Sequence, residues 1–357
     1  MPLSVLLPIS LDRVSSPIST LLRKIAEGSP AIDFYSFSSP VTAEDRRCAE
    51  RLWSLPHVHS IGYPELLKRR FDVVHHASAT PKNLLAARIA KLRSLGKVRH
   101  VFTANCEPYA TDRYLESYKR SVARADHLVA VSKAVKEGVI EWFGRTAEAV
   151  IPNGFDEEFY FPVGADADPP EGVPREPFVL WAAQILDRKH PEVFLEIARR
   201  LPSVKFLMVG NNPYPDTELS KQTLATLSTL PNVDYLGIVP REHLRNLLQH
   251  AGILLFPSDY EGLPLTVVEA LGCGCPVIAQ NKSSLPEVIR DGENGWLIDN
   301  SEIGEWVGKV SEVLAWDGGK REEWRREARQ SVLEAFSWSV IARQQGEFYH
   351  SLMNDDR

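Results

Sequence analysis

The sequence predicts an α/β protein with two doubly wound, Rossmann-like domains. Its 357 residues are too many for one ordinary hydrophobic core and suit two domains. Short apolar runs alternate with helical stretches in two successive series, which is typical of parallel sheets covered by helices. Between the series, residues 164–177 are dense in proline, glycine and acidic side chains, which predicts an interdomain linker.

The first domain is predicted over residues 1–163. Its amphipathic helical segments include Ile18–Ala26, Pro81–Leu95 and Lys133–Phe143. The opening MPLSVLLPIS has no basic region and is interrupted by Pro8, so we expect a first strand and not a signal peptide. The predicted strands are Leu3–Leu7, Asp33–Phe37, Val58–Gly62, Asp72–His75, His100–Thr103, Leu128–Val131 and Ala149–Ile151.

The second domain is predicted over residues 178–335, followed by a helix over 336–357. No sequence repeat relates the two series, so we expect two different domains and not a duplicated array. The predicted strands are Phe178–Ala183, Val204–Gly210, Val233–Gly237, Ile253–Phe256 and Pro276–Ala279. The predicted helices include Pro191–Arg200, Thr217–Leu230 and Arg241–His250.

Composition indicates a soluble protein of the cytoplasm. Hydrophobic residues make up 44% and charged residues 25% of the chain, both ordinary for a globular protein. No apolar run reaches the ~20 residues of a membrane helix. The four cysteines, Cys48, Cys106, Cys273 and Cys275, lack metal-ligand spacing, so we expect reduced structural thiols.

The net charge of −6 is distributed unevenly. Residues 1–168 contain 22 Lys and Arg against 20 Asp and Glu, a balance of +2, which leaves −8 for the remainder. Basic clusters include Lys68–Arg70 and a series along residues 88–99. Such a face could make peripheral contact with anionic lipid, or it could be a set of solvated helix surfaces. Nucleic acid is not expected as a partner, because no aromatic residues interleave with the basic ones.

The strongest local pattern runs from Gly252 to Asp299. The buried strand Ile253–Phe256 is followed by the turn SDYEGLP and a helix over Leu265–Leu271. A helix N-terminus at the carboxyl end of a strand is an anion site, and Gly262 permits close approach. Glu261 and Glu269 could accept hydrogen bonds from sugar hydroxyls on either side of a diphosphate. Alternatively, Glu261 caps the helix and Glu269 belongs to a solvated face.

The phrase EGLPLTVVEALGCGCPVIA, followed by LPEVIRDGENGWLI, closely resembles the nucleotide-sugar site of the family-4 retaining glycosyltransferases. The resemblance implies the GT-B fold, with two Rossmann-like domains, a cleft between them, and a terminal helix over 336–357 that returns to the first domain. It also implies that Glu261 contacts the donor sugar and Glu269 binds the ribose. The phosphates would be held by the loop between these glutamates, Gly262, Leu263, Pro264 and Leu265.

Two further phrases resemble donor-binding segments of that family. WAAQILDRKH contains Lys189 at the position of a lysine that neutralises the donor diphosphate. The companion arginine of the family is Gln184 here, so one charged contact is missing unless Arg188 replaces it. The resemblance also implies that Gly210 and Asn211, in VGNNP, line the nucleotide pocket. Ile238, in VDYLGIV, would meet the base through its backbone, although both phrases could be simple strand-end turns.

The first half resembles the acceptor domain of the family through FDVVHHAS, ADHLVAVSKAVKEGV and VIPNGFDEEFYFP. It departs from the family in two places. The usual Gly-Gly loop is replaced by ISLDRVSSPIST, where Ser15, Ser16 and Ser19 could supply hydroxyl groups. Asn105 stands where a histidine often lies near the reacting carbon, and amides cannot carry a proton as imidazole does. His75 and His76 could compensate or could be structural.

One acidic pair resembles a metal-binding motif. Asp166-Ala-Asp168 has the D-x-D pattern of metal-dependent glycosyltransferases. A metal site needs a rigid loop after a strand, and this pair lies in the proline-rich linker. We therefore expect no metal requirement.

These observations predict a retaining glycosyltransferase that moves a sugar from a UDP- or GDP-sugar to a glycan or lipid-linked acceptor. We expect Glu261, Asn105 and Lys189 to be the catalytic residues. The missing arginine, histidine and Gly-Gly loop also motivate a second hypothesis, a non-catalytic homologue that binds nucleotide or glycan with a partner enzyme. A nucleotide-sugar epimerase and a pyridoxal-dependent phosphorylase are further alternatives on the same fold.

Overall fold

The computed structural model describes residues 2–12, 17–78, 80–106, 115–164 and 167–354. The chain forms two compact units. The first comprises residues 1–154 together with 338–357, and the second comprises residues 155–337. Each unit contains one parallel β-sheet with its own hydrophobic core.

The first unit has a seven-stranded sheet in the order β3-β2-β1-β4-β5-β6-β7, in which all neighbours are parallel. Its strands are β1 (Leu3–Ser10), β2 (Ile32–Phe37), β3 (Val58–Ser60), β4 (Val73–His76), β5 (Arg99–Ala104), β6 (His127–Ala130) and β7 (Ala149–Val150). The helices between them are α1 (Pro17–Glu27), α2 (Ala43–Trp53), α3 (Tyr63–Leu66), α4 (Pro81–Arg93), α5 (Leu115–Arg124) and α6 (Lys133–Phe143).

The second unit has a six-stranded parallel sheet in the order β10-β9-β8-β11-β12-β13. Its strands are β8 (Phe178–Ala182), β9 (Lys205–Val209), β10 (Val233–Gly237), β11 (Ile253–Phe256), β12 (Val277–Ala279) and β13 (Trp296–Leu297). Its helices are α7 (Pro191–Arg200), α8 (Glu218–Leu227), α9 (Arg241–His250), α10 (Leu265–Gly272), α11 (Leu285–Val288), α12 (Ile303–Leu314) and α13 (Gly318–Phe336). One 3₁₀ turn, Asp187–Lys189, follows β8.

The order of the second sheet determines where a ligand can bind. The chain builds β8, β9 and β10 outward in one direction and then returns to place β11 on the other side of β8. The loops after β8 and β11 therefore leave the sheet in opposite directions, and a crevice opens at their carboxyl ends. This doubly wound topology confirms the predicted fold class.

Local sequence signals explain individual elements. Helix α6 begins after Ser132, whose hydroxyl accepts the Val135 N–H at 3.1 Å, and it ends at Gly144 with φ of +65°. Helices α13 and α14 (Trp338–Ser351) are separated by Ser337, whose backbone is extended. The terminal helix predicted over residues 336–357 is α14, which begins two residues later than predicted and belongs to the first unit.

Helix α14 completes the core of the first unit. It packs against α1, where Leu22 and Ile25 meet Ile341 and the fully buried Tyr349. The Ser29 hydroxyl also donates to the Ala342 carbonyl at 3.3 Å. Burial of several large apolar side chains contributes about 2 kcal/mol for each one, so the first unit depends on residues from the end of the chain.

The boundary between the units differs from the predicted one. We expected the first domain to end at residue 163, whereas residues 155–163 pack within the second unit. The Arg329 guanidinium holds this segment, because it donates to the carbonyls of Glu157, Tyr160 and Gly272 at 2.7–3.0 Å. Phe155 also forms a β-bridge with Ser337. Such long-range contacts cannot be inferred from local composition.

No helix among the described residues combines the length and apolar character that a bilayer-spanning segment requires. The four cysteines are free thiols, and all except Cys106 are buried.

Candidate functional site

The candidate site lies where the loops after β8 and β11 meet. Lys189 ends the 3₁₀ turn after β8, and Glu261 follows β11. The Lys189 ammonium group forms an ion pair with Glu261 Oε1, and only about a tenth of each side chain is exposed. The Lys189 Nζ atom also lies 5.0 Å from the centre of the Phe256 ring. Burial lowers the pKa of Lys189, and Glu261 opposes this effect.

Arg188 supplies a second cation to this site. Its Nη1 donates to the Tyr260 carbonyl at 2.8 Å and lies 3.8 Å from Glu261 Oε1. The Arg188 carbonyl accepts the Asp259 N–H at 2.9 Å, so the two loops are joined in both directions. Gln184, which occupies the position of the family's arginine, is exposed. Arg188 is therefore the cation that accompanies Lys189 in this structure.

His190 adds a third cationic side chain to the network of Lys189 and Arg188. No pattern in the sequence assigned it to the site. It adopts a left-handed conformation with φ of +47°. Its Nδ1 lies 2.6 Å from Glu192 Oε1, and its Nε2 lies 3.0 Å from Asp259 Oδ2. The bond to Glu192, together with Asp259, raises the pKa of His190 to about 9, so the ring is cationic at neutral pH.

The start of α10 presents unpaired N–H groups beside these cations. Among the described residues, the backbone N–H groups of Gly262, Leu263 and Thr266 have no acceptor. Two of the predicted phosphate-binding residues cannot donate here: Pro264 has no N–H, and the Leu265 N–H donates to the Leu263 carbonyl at 2.9 Å. Unpaired N–H groups at a helix N-terminus attract anions.

The loop that carries Glu261 is braced by the segment after β12. The Glu261 N–H donates to the Ser283 hydroxyl at 3.2 Å. The Ser284 hydroxyl in turn donates to the Glu261 carbonyl at 3.0 Å. These bonds fix the backbone of Glu261, and they were not predicted from the sequence.

Four other predicted residues converge at the ends of β8, β9 and β10. Gly210 has φ of +137°, and a Cβ atom there would lie 1.5 Å from the Ala183 carbonyl oxygen. Only glycine therefore allows this close approach of β9 and β8. The Asn211 carbonyl accepts the Ile185 N–H at 3.0 Å, one residue beyond Gln184. Ile238 follows β10 and is 78% exposed, which leaves its backbone accessible.

Glu269 lies inside α10 within a network that local sequence does not reveal. The Tyr160 hydroxyl lies near its carboxyl group and lowers its pKa. The Tyr160 hydroxyl accepts from Arg241 Nε at 3.3 Å, and Arg241 Nη2 also reaches Asp156 Oδ2 at 3.3 Å. Burial raises the pKa of Glu269 to about 7, although Tyr160 and Arg241 both lower it. Glu269 is thus not part of a freely solvated face, and Glu261 does not cap α10, whose N-terminus has no side-chain cap.

Asn105 belongs to the first unit and is partly buried. Its Nδ2 donates to the carbonyls of Ala77 at 2.8 Å and Thr103 at 3.2 Å. The amide nitrogen therefore ties the carboxyl ends of β4 and β5 together, and the Oδ1 atom is the group left to accept a further bond. Ser15 and Ser16, like Asp166 of the D-x-D pattern, lie outside the described residues, and Ser19 is buried.

His75 and His76 do not compensate for the missing histidine. The His75 ring contacts the hydroxyls of Tyr349 at 2.5 Å and Thr103 at 2.7 Å. His76 Nε2 lies 2.8 Å from His100 Nε2, and its Nδ1 lies 3.0 Å from the Ser78 carbonyl. Both rings are buried, which lowers the pKa of each to about 3. They are structural groups of the first core.

Comparison with known proteins follows the same division of the chain. Residues 166–331 match the family model described as glycosyl transferases group 1. Residues 25–159 match the model described as glycosyltransferase family 4. Together the two matches account for most of both units.

Two curated relatives are proteins of Mycolicibacterium smegmatis. The D-inositol 3-phosphate glycosyltransferase is 30% identical over 202 residues, which are 54% of this chain and 46% of that protein. The alpha-maltose-1-phosphate synthase is 27% identical over 305 residues, 75% of this chain and 76% of the relative. The chain thus matches less than half the length of the first relative.

Solved structures share the fold at low sequence identity. HepE from Anabaena, in complex with UDP-glucose, gives a TM-score of 0.74 at 19% identity, with 98% of this chain and 99% of that chain covered. Sucrose-phosphate synthase from Thermosynechococcus elongatus gives 0.73 at 19% identity, with 99% and 100% covered.

The two parallel sheets and these structural matches define a protein of the GT-B fold. The donor-site motif and the two family models narrow this class. Both halves of the chain match glycosyltransferase family models, with family 4 matched by residues 25–159, which confirms the resemblance found in the sequence. Within the part of the chain that the structure describes, no group of three or more His, Cys, Asp or Glu side chains could hold a metal ion.

Proposed function

We propose that this protein transfers a sugar from a nucleotide diphosphate sugar to a glycan or lipid-linked acceptor, with retention of configuration and without a metal. One observation carries the proposal: Lys189, Arg188 and the unpaired N–H groups before α10 converge beside Glu261 at the switch point of the second sheet. Two cations and several backbone donors match the charge of a diphosphate. A UDP-sugar is the first donor to test, since HepE was solved with UDP-glucose.

In this proposal the donor diphosphate takes the place of Glu261 as the ion-pair partner of Lys189. Lys189 neutralises Glu261 in the structure described here. A bound diphosphate would compete for the ammonium group and thereby free the carboxylate to accept bonds from donor-sugar hydroxyls. The N–H groups of Gly262, Leu263 and Thr266 would bind phosphate oxygens, and the ribose would bind Glu269.

The chain's contribution to chemistry is positioning and charge stabilisation. A retaining transfer of this kind has the acceptor attack on the face from which the diphosphate leaves. The departing phosphate oxygen accepts the acceptor's proton, so no protein side chain has to act as a base. Lys189, Arg188 and the N–H groups stabilise the negative charge that develops on the leaving group. Asn105 Oδ1 would accept a bond from a sugar hydroxyl.

Peripheral contact with anionic lipid is a further part of the proposal. On and after α4, Leu85, Leu92 and Leu95 are 51%, 78% and 80% exposed. Leu95 also has φ of +53°, an unfavourable conformation for leucine. Residues 81–101 include six Lys and Arg but no Asp or Glu. Exposed apolar side chains among cations suit the interface of an anionic bilayer.

The decisive experiment separates donor binding from transfer. The chain is titrated with UDP, GDP, ADP, CMP and dTDP in a thermal-shift assay, with and without magnesium, and the corresponding sugar donors are then incubated with candidate acceptors. Binding to the native state raises the melting temperature. We expect a metal-independent shift with one nucleotide and a glycosylated product. Binding without product for any acceptor would favour the non-catalytic homologue, and an absence of binding would refute the donor site.

A further inference from the structure

Three residues beyond the E-x7-E pair surround the Glu269 carboxyl group in the second unit. Asp156 and Tyr160 come from the segment that opens this unit, and Arg241 is the first residue of α9. None of the three belongs to the proposed phosphate or sugar contacts. Their arrangement bears on the proposed ribose contact and therefore rests on the proposed function.

Two hydrogen bonds from Arg241 order these groups. Arg241 Nη2 donates to Asp156 Oδ2, and Arg241 Nε donates to the Tyr160 hydroxyl, each at 3.3 Å. The Tyr160 hydroxyl in turn lowers the pKa of the Glu269 carboxyl group, as a hydrogen-bond donor to the carboxylate does. Because the oxygen of Tyr160 already accepts from a cation, its own proton is a stronger donor.

Packing holds these groups in place. Tyr160 is 2% exposed. The Arg241 guanidinium lies 4.1 Å from the centre of the Phe159 ring and 5.1 Å from that of Tyr160. The neighbouring Arg245 guanidinium also stacks on Phe159, at 4.7 Å. Two arginines on aromatic faces fix the orientation of the segment that carries Tyr160.

We propose that Tyr160 and Arg241 are positioning residues that orient the Glu269 carboxylate for the two ribose hydroxyls.

A dependence of affinity on pH is the readout of this positioning, and it follows from what ribose requires. Two ribose hydroxyls donate best to an ionised carboxylate, which accepts on both oxygens, whereas a protonated carboxyl group has lost part of that capacity. The free Glu269 carboxyl group has a pKa of about 7, so about half of it is protonated at neutral pH. Nucleotide binding would select the ionised form. Affinity should therefore be full above pH 7 and fall by up to tenfold per pH unit below it.

The other charged and titratable groups near Glu269 are paired, neutral or bound elsewhere. None of them takes the place of Tyr160 and Arg241 beside its carboxyl group. Asp156 raises the pKa of Glu269 but is paired with Arg241. Burial keeps the Cys273 thiol neutral, because it raises its pKa well above the ordinary value. Arg329 of α13 donates to the backbone carbonyls of Glu157, Tyr160 and Gly272. Arg245 stacks on the aromatic rings.

The test is calorimetric titration of the full chain with UDP between pH 5.5 and 8.5, in buffers of different ionisation enthalpy. Relative to Glu269→Gln, the wild type should release up to one further proton on binding and lose more affinity below pH 7. Tyr160→Phe removes a donor that lowers the pKa of Glu269, so its affinity should fall roughly tenfold at neutral pH and its midpoint should move to higher pH. Glu269→Gln should bind weakly and keep only the pH dependence that the terminal phosphate of UDP, with a second pKa of about 6, imposes on every variant.

Tyr35→Phe is the matched control. Its hydroxyl also accepts from an arginine, Arg69 Nη1, at 2.9 Å, but it lies in the first unit. It should bind UDP like the wild type at every pH. Arg241→Gln provides a second variant at a half-exposed side chain, should Tyr160→Phe fold poorly. If a folded Tyr160→Phe or Arg241→Gln protein kept the wild-type affinity and the wild-type midpoint pH, this inference would be wrong. The proposed function would not be affected by that result. No UDP binding by the wild type at any pH, or binding only of another nucleotide, would instead refute the UDP-sugar assignment.

Discussion

The ammonium group of Lys189 and the carboxylate of Glu261 form an ion pair that is almost closed to solvent, although 72 residues separate them in the chain. Both side chains lie at the topological switch point of a parallel sheet, where strand order brings distant loops together. Removal of one partner leaves the other as an unpaired charge with little access to water. The pair is therefore the most direct test of the site.

We expect Glu261→Ala and Lys189→Ala each to reduce kcat/KM by a factor of about 10² to 10³ while the fold remains intact. Each change removes a group that the proposal places on the donor. Circular dichroism and donor-dependent product formation are the measurements. Lys205→Ala is the control, because Lys205 pairs with Asp234 at the amino end of β9, away from the loops of the site. Near-normal turnover of Glu261→Ala would sink the assignment.

We expect Gly210→Ala to destabilise the second unit by about 3 kcal/mol, since the new methyl group would overlap the Ala183 carbonyl and φ is +137°. Gly308→Ala, within α12, meets no atom within 4 Å and should be neutral or stabilise by about 1 kcal/mol. Urea unfolding of both variants measures the difference. Equal free energies of unfolding for the two variants would contradict the prediction, because they would mean that β8 and β9 can move apart without loss of stability.

We expect the first unit to lose stability in acid. His75 and His76 have a pKa of about 3 in the folded unit, against an ordinary value of 6.5. Between these values the unfolded chain binds more protons, so the free energy of unfolding falls as pH decreases from about 6.5 towards 3. Each histidine contributes up to about 1.4 kcal/mol per pH unit.

Hydrogen exchange of the amides in β4 and β5, corrected for the intrinsic rate, measures this loss at pH 7 and pH 5. His76→Gln should flatten the dependence. His59→Gln, at a more exposed ring paired with Asp33, should leave it unchanged. Protection that is equal at the two pH values in the wild type would contradict the expectation.

We expect the α4 surface to bind vesicles that contain phosphatidylglycerol and to bind pure phosphatidylcholine poorly, with sedimentation weaker at high salt. Replacement of Leu85 and Leu92 by Gln should weaken binding roughly tenfold or more, because apolar insertion is lost. Leu224→Gln with Leu236→Gln changes two exposed leucines of the second unit and serves as the control. No sedimentation of the wild type with anionic vesicles at low salt would remove the membrane proposal.

The sequence predicted the elements well where their signals are local. The bounds of β10, β11, α6, α7 and α9 agree with the structure, because apolar runs and periodicity define them and because Ser132 and Gly144 cap α6. β13 has only two residues and gives no periodic signal. The boundary at residue 163 was wrong because the contacts of residues 155–163 are with residues more than 50 positions away.

The site was predictable in part for the same reason. A motif can name Lys189 and Glu261, and parallel strands bring their loops together. The state of Glu269 depends on Tyr160, which lies 109 positions earlier, and no local pattern encodes that contact. The partners of His190 and the backbone bond of Leu265 likewise depend on the folded loops. Contacts between residues that are close in space but distant in the sequence can be identified only from the folded structure.

The return of α14 to the first unit makes the second unit an insertion. Phe155 bridges Ser337, and its N–H donates to the Phe336 carbonyl at 3.0 Å, so the two ends of the second unit are adjacent. Within the first unit, a Cβ atom on Gly154 would lie 2.5 Å from the Trp338 ring. The two chain positions at which the second unit is inserted are therefore also adjacent. A gene for residues 155–337 would therefore encode a module whose two ends lie side by side. A gene in which the codon for Gly154 is followed directly by that for Trp338 would encode the first unit. A stop codon before α14 would damage that same first unit, although most of its residues come from the start of the gene.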